Sequence, residues 1–170
     1  MRNIVLTGFM GTGKTEVGRL LSERLGYILV DVDSEIERTQ GMTITEIFKR
    51  HGEPGFRDRE ADIIRLLSET ERAVISTGGG AVLRQENMDN LRKKGVLVCL
   101  TATPETIVKR IGDNKDRPLL QVEDPVRKIK ELLDSRESCY AKADIIVDTN
   151  DKSPLEVAEE IMKKVGTGRG

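Results

Sequence analysis

The 170 residues set 28 Lys and Arg against 29 Asp and Glu, a net charge of −1, and only 3% of them are aromatic. That balance makes no electrostatic case for nucleic acid or an anionic membrane, and it leaves little surface for base stacking. No apolar run approaches membrane-spanning length, and two cysteines with one histidine are poor material for a Cys/His metal centre, so any metal should be a hard, oxygen-ligated ion.

The length fits one α/β domain over residues 1–170. Its first run, Asn3–Thr7, is apolar enough for a buried strand, and the N-terminus enters it without a signal peptide. Residues 8–15, Gly8-Phe9-Met10-Gly11-Thr12-Gly13-Lys14-Thr15, then fit the phosphate-loop pattern G-x-x-x-x-G-K-[ST], and Val17, Leu20, Leu21 and Leu25 carry a helix onward. Glycines let backbone N–H groups curl around phosphate oxygens without a Cβ in the way, and the helix N-terminus adds about half a positive charge. Lys14 would reach the β- and γ-phosphates of a nucleotide, and the Thr15 hydroxyl would ligate Mg²⁺. A plain glycine-rich turn between strand and helix is the bland alternative.

Further strand-like runs at Ile28–Asp31, Ala73–Ser76, 96–101 and 145–147 alternate with helical periodicity, which argues a five-stranded parallel sheet covered on both faces. Thr43 with Glu46 and Ser153 with Glu156 match capping boxes, and Pro104, Pro125 and Pro154 follow Thr, Asp and Ser as first-turn prolines should. The polar stretch 112–123 holds Arg117 and a Leu119-Leu120 pair without periodic partners. It reads as a mobile lid over the phosphates, against the plainer reading of a solvated connector.

Four places are candidates for binding whatever receives the phosphoryl group. Strand two runs into Val30-Asp31-Val32-Asp33, where alternation would point Asp31 and Asp33 to one side at the carboxyl edge of the sheet. Carboxylates there could hold Mg²⁺ through water or take a proton from a hydroxyl; an acidic surface turn is the alternative. The stretch from Gly52 to Glu60 opens a helix whose apolar stripe of Phe56, Ile63, Ile64 and Leu67 includes Glu60, and Arg57 lies three residues before that carboxylate. Near a cleft Glu60 would lock the Arg57 fork for an anion; elsewhere the two are a structural pair. Gly78, Gly79 and Gly80 in a row fit a backbone approached closely by a ligand, or merely a tight loop. In the helix from Pro125, Arg136 shares the stripe of Val126, Ile129, Leu133 and Tyr140, and an inward guanidinium wants an anion.

Together these residues resemble the shikimate kinase family over nearly the whole chain. The matching pieces are the phosphate loop, Asp31-Val32-Asp33, Ile47-Phe48 with Gly52-Glu53, Phe56-Arg57-x-x-Glu60, Gly78-Gly79-Gly80, Arg117-Pro118-Leu119-Leu120 and Arg136-x-x-x-Tyr140, in that family's order. The resemblance implies a P-loop, nucleoside monophosphate kinase-like fold: three α/β/α layers, strand order 2-3-1-4-5, acceptor-binding helices at about 33–60 and a lid at about 112–123. It implies an enzyme that moves the γ-phosphoryl of ATP, with Mg²⁺, to the 3-hydroxyl of shikimate in chorismate and aromatic amino acid synthesis. By the same resemblance Gly11, Thr12, Gly13, Lys14 and Thr15 hold the nucleotide phosphates, with Glu16 the last residue of that nucleotide-binding stretch. Arg110, Lys152 and Ser153 form its base end, and Arg117 sits near the phosphates. Asp33 is the base and holds the shikimate hydroxyls. Arg57 and Arg136 grip the carboxylate, Gly79 with its neighbours Gly78 and Gly80 binds the same substrate, and Glu60 orients Arg57. Thr15 and Asp31 serve the magnesium ion. Glu16, where the family commonly has Thr, is expected to point away from phosphate, and Cys139 falls where the family often has Pro.

Two rivals remain. One is another small-metabolite kinase of the same fold, for gluconate or a nucleotide, which should lack this acceptor set. The other is a GTP-dependent regulatory switch, for which Asn114-Lys115-Asp116-Arg117 only superficially matches N-K-x-D. Cys99 in an apolar run and Cys139 in a polar one read as reduced thiols of a cytoplasmic protein, expected to be a monomer acting on small molecules. His51 reads as a solvated helix end rather than a catalyst.

Overall fold

The structure is a computed structural model that describes residues 2–112 and 122–166. Strands β1 (Asn3–Thr7), β2 (Ile28–Asp31), β3 (Ala73–Ser76), β4 (Gly95–Thr101) and β5 (Ile145–Asp148) form one parallel sheet in the order β2-β3-β1-β4-β5. Every residue of the central strand β1 is buried, which is why its sequence is an apolar run rather than an alternation. Alternation still sorts the side chains between two cores. On one face Val5, Ile75, Leu97 and Cys99 pack with helices α2 (Val32–Gln40), α3 (Ile44–Leu67), α4 (Gln85–Lys94) and α6 (Pro125–Tyr140). On the other Ile4, Leu6, Val74, Val98 and Leu100 pack with α1 (Lys14–Leu25) and α7 (Pro154–Val165). Helix α5 (Pro104–Ile111) joins α6 in a third cluster of Phe9, Ile107 and Ile129, which seats the second residue of the phosphate loop in apolar surroundings.

The capping boxes at Thr43 and Ser153 form, and the three prolines open α5, α6 and α7 behind Thr103, Asp124 and Ser153 caps. One local expectation needs correction. Asp31 and Asp33 do not alternate along one strand: β2 stops at Asp31, whose carboxylate caps α2 by accepting the Ser34 N–H at 2.9 Å, and Asp33 lies in the first helical turn. A side-chain cap satisfies a helix-end donor that a longer strand would not supply. The stretch from Gly52 opens a second helical run as expected: α3 breaks where Gly52 takes φ 67 and ψ −178, and Pro54 falls in the first turn after the break, where its missing N–H costs nothing. Among the described residues no helix is long and apolar enough to cross a membrane.

Candidate active site

The site lies at the carboxyl edge of the sheet, where ligands bind in open α/β folds. In the phosphate loop Gly8 takes φ 130, and a Cβ there would overlap the Leu100 carbonyl oxygen. Gly13 takes φ 98 as the residue before α1, with no side-chain cap, so the first amides of the helix remain available to an anion. The loop is closed by the Thr12 hydroxyl donating to the Phe9 carbonyl at 2.7 Å, and by Lys14 Nζ donating to the carbonyls of Gly8 at 2.8 Å and Phe9 at 2.9 Å. Thr15 is exposed, while the Glu16 carboxylate turns along the helix surface to Arg19 at 3.3 Å.

Opposite the loop, the residues expected to bind the acceptor converge. Glu60 is fully buried and accepts from Arg57 Nη1 at 2.7 Å, with the Arg57 side chain 15% exposed. The guanidinium carbon of Arg57 lies 5.1 Å over the Phe56 ring and its Nη2 faces Glu53 at 3.5 Å. None of the three consecutive glycines has a left-handed φ, so backbone freedom is not why they are there. Space is. A Cβ on Gly80 would lie 2.6 Å from the Arg57 Cζ, one on Gly79 3.3 Å from the Gly8 carbonyl, and one on Gly78 3.2 Å from Asp33 Oδ1. The turn is thus the floor on which Asp33, Arg57 and the phosphate loop meet. Arg136 completes it, its guanidinium 5.6 Å over the Phe9 ring, and the Tyr140 hydroxyl donates to the Gly79 carbonyl at 2.8 Å.

Burial pushes the Asp33 carboxyl above the usual carboxylate range and the nearby Asp31 adds to the rise, with Lys14 and Arg57 opposing it. Burial also raises Glu60, and its hydrogen bond to Arg57 pulls the other way. Asp33 Oδ1, Glu60 Oε1 and Arg57 Nε are buried without a hydrogen-bond partner among the described residues. Unmatched donors and acceptors gathered in one place ask for a polar ligand.

Where the nucleotide base is expected, Arg110 donates to the Thr149 hydroxyl at 2.8 Å, the Thr149 carbonyl at 2.6 Å and the Gly11 carbonyl at 3.4 Å, tying the phosphate loop to the turn after β5. Lys152 and Ser153 follow that turn, but Lys152 pairs with Glu160 at 2.8 Å and the Ser153 hydroxyl caps α7. Arg117, residues 113–121 of the expected lid and the Asn114-Lys115-Asp116-Arg117 tetrad lie outside the described residues. For a metal, no cluster of three or more His, Cys, Asp or Glu exists among the described residues. Thr15 offers a hydroxyl, and Asp31 offers the oxygen that its cap leaves over. So sparse a set of hard donors fits Mg²⁺, which keeps several waters and takes the rest from phosphate.

Two contributors escaped the sequence reading. Phe9 supports Arg136, which only the fold reveals. The Tyr140 hydroxyl left one trace: a Tyr rather than a Phe at the buried end of an apolar stripe usually has a partner for its O–H.

The family profile described as shikimate kinase matches residues 10–166. A shikimate kinase of Thermodesulfovibrio yellowstonii is 53% identical over 164 residues, covering 96% of this chain and 95% of the relative. The solved structure of shikimate kinase from Acinetobacter baumannii in complex with shikimate superposes with a TM-score of 0.91 at 40% identity, covering 98% of this chain and 94% of that one. A gluconokinase from Sinorhizobium meliloti, at 16% identity and a TM-score of 0.61 over 98% of this chain and 92% of its own, shares the fold alone. The strand order, the phosphate loop and the full-length likeness agree, and the chain belongs to the shikimate kinase family.

Proposed function

We propose that this protein transfers the γ-phosphoryl group of ATP to the 3-hydroxyl of shikimate. The observation that carries the reading is the Glu60-held Arg57 beside Asp33 and Arg136, grouped around the 78–80 turn against Gly8 and Phe9 of the phosphate loop. Likeness to a relative solved with shikimate supports it. Arg57 and Arg136 clamp the substrate carboxylate, since a planar fork matches a carboxylate in two contacts. Asp33 orients the hydroxyl and takes its proton, and a carboxyl raised by burial is a better base than an exposed one. Lys14 exchanges the Gly8 and Phe9 carbonyls for phosphate oxygens, and Arg117, by family resemblance, adds positive charge near them. Thr15 and Asp31 would hold Mg²⁺, which when bound neutralises phosphate charge. Arg110 backs the base end, where Lys152 and Ser153 lie. We read the chain 1–170 as one catalytic unit, a cytoplasmic monomer with neither nucleic acid nor membrane as partner.

A coupled ADP- or GDP-release assay tests this with shikimate, gluconate and nucleoside monophosphates, each with ATP and with GTP. Turnover should require shikimate and ATP. Turnover on gluconate or a nucleotide in place of shikimate would overturn the reading.

A further inference from the structure

Two of the three glycine carbonyls in the 78–80 turn are satisfied by the turn itself: Gly78 accepts from Ala81 N–H and Gly80 from Leu83 N–H, both at 3.1 Å. The Gly79 carbonyl instead accepts from the Tyr140 phenol at 2.8 Å, on a helix 61 residues away in sequence. Because a peptide is planar, holding that carbonyl also fixes the direction of the Gly80 N–H. Tyr140 stands one helical turn after Arg136, whose Nη1 lies 3.6 Å from where a Gly79 Cβ would be. The guanidinium also faces the phenol oxygen, offsetting the rise that burial imposes on the Tyr140 hydroxyl. Packing does not lock the ring on every side. It borders a cavity of about 310 Å³ with Cys99, Leu133 and Ile146, between α6 and the β4–β5 edge.

We propose that Tyr140 is a positioning residue for the acceptor site: its hydroxyl bond to Gly79 sets the glycine turn at the distance from Arg136 that an acceptor carboxylate and hydroxyl require. The choice of acceptor rests on the shikimate reading above; the bond itself does not.

Tyr140→Phe keeps the ring and removes only the bond. KM for shikimate should rise about fivefold to 150-fold, the range for a buried acceptor left unpaired. KM for ATP should stay within about twofold of wild type, because the lost bond goes to the 78–80 turn, while Ile129 keeps α6 packed on Ile107 and Phe9. Amide hydrogen exchange should speed up over residues 78–81 and stay unchanged over β1 and α7. Support requires both the selective KM rise and the local exchange change. Unchanged exchange at 78–81, an unchanged shikimate KM, or a parallel rise in both KM values overturns the proposal. If wild-type protein fails to phosphorylate shikimate, the proposed function falls, and the exchange measurement alone then decides the role of Tyr140.

Discussion

Truncating Glu60 to alanine should damage both stability and acceptor binding, for one physical reason. The carboxylate is fully buried and is the 2.7 Å partner of an Arg57 side chain only 15% exposed. Without it Arg57 retains Glu53 at 3.5 Å, whose side chain is 62% exposed. An exposed partner of that kind contributes about 1 kcal/mol at most. Breaking a buried pair while leaving one charge behind costs about 3–5 kcal/mol. At about 2–4 °C per kcal/mol for a chain of this size, the melting temperature should fall by roughly 6–20 °C. Losing the orientation of a charge-assisted contact worth about 1.5–3 kcal/mol should raise the shikimate KM about 10- to 150-fold. Arg57→Met combined with Glu60→Leu separates the two effects. Replacing a buried ion pair by apolar residues is often neutral or stabilising, so the melting temperature should recover while shikimate binding stays lost. Thermal melts and steady-state kinetics on the single and double variants are sufficient. If Glu60→Ala melts within about 2 °C of wild type and keeps its shikimate KM, the buried pair does not build the acceptor site.

Gly80→Ala introduces no backbone strain, since Gly80 has φ −96, but its Cβ would overlap the Arg57 guanidinium. The shikimate KM should rise about tenfold to a hundredfold while the ATP KM stays near wild type; an unchanged shikimate KM would mean that Arg57 gives way freely. Asp33→Asn should cut turnover about 10²- to 10⁴-fold, and retained turnover would exclude Asp33 as the base. The same variant should melt above wild type at neutral pH. Asp33 has a folded carboxyl raised above its ordinary 3.8, so its favourable contribution is complete below the unfolded value and is lost as pH rises through the folded one. The asparagine never bears that charge, so the gap between the two proteins should close as pH falls toward 3.8; a gap constant with pH would show that Asp33 carries no buried-charge cost.

Much of this was legible along the chain because it is local. A strand, a glycine loop and a helix start are read within residues 3–25, and a capping box spans four residues, so β1, the phosphate loop and the Thr43 and Ser153 caps stood where the pattern placed them. The Arg57–Glu60 pair was legible for the same reason, both partners lying on one face of one helix. Misreadings came where two local rules competed: β alternation placed Asp31 and Asp33 together on a strand, and the stronger cap at Asp31 ended that strand. Lys152 and Ser153 were assigned by resemblance, while their side chains bond within the protein to Glu160 and Glu156. By itself, then, the sequence determined the element types, the phosphate loop and the pairing of Arg57 with Glu60. The tertiary structure alone decided why three glycines stand in a row, how Phe9 supports Arg136 and why Tyr140 carries a hydroxyl. Those answers are close approaches between segments far apart in sequence, Gly79 against Gly8, Arg136 over Phe9 and Tyr140 against Gly79, and chain separation of that order leaves no periodic signal to read.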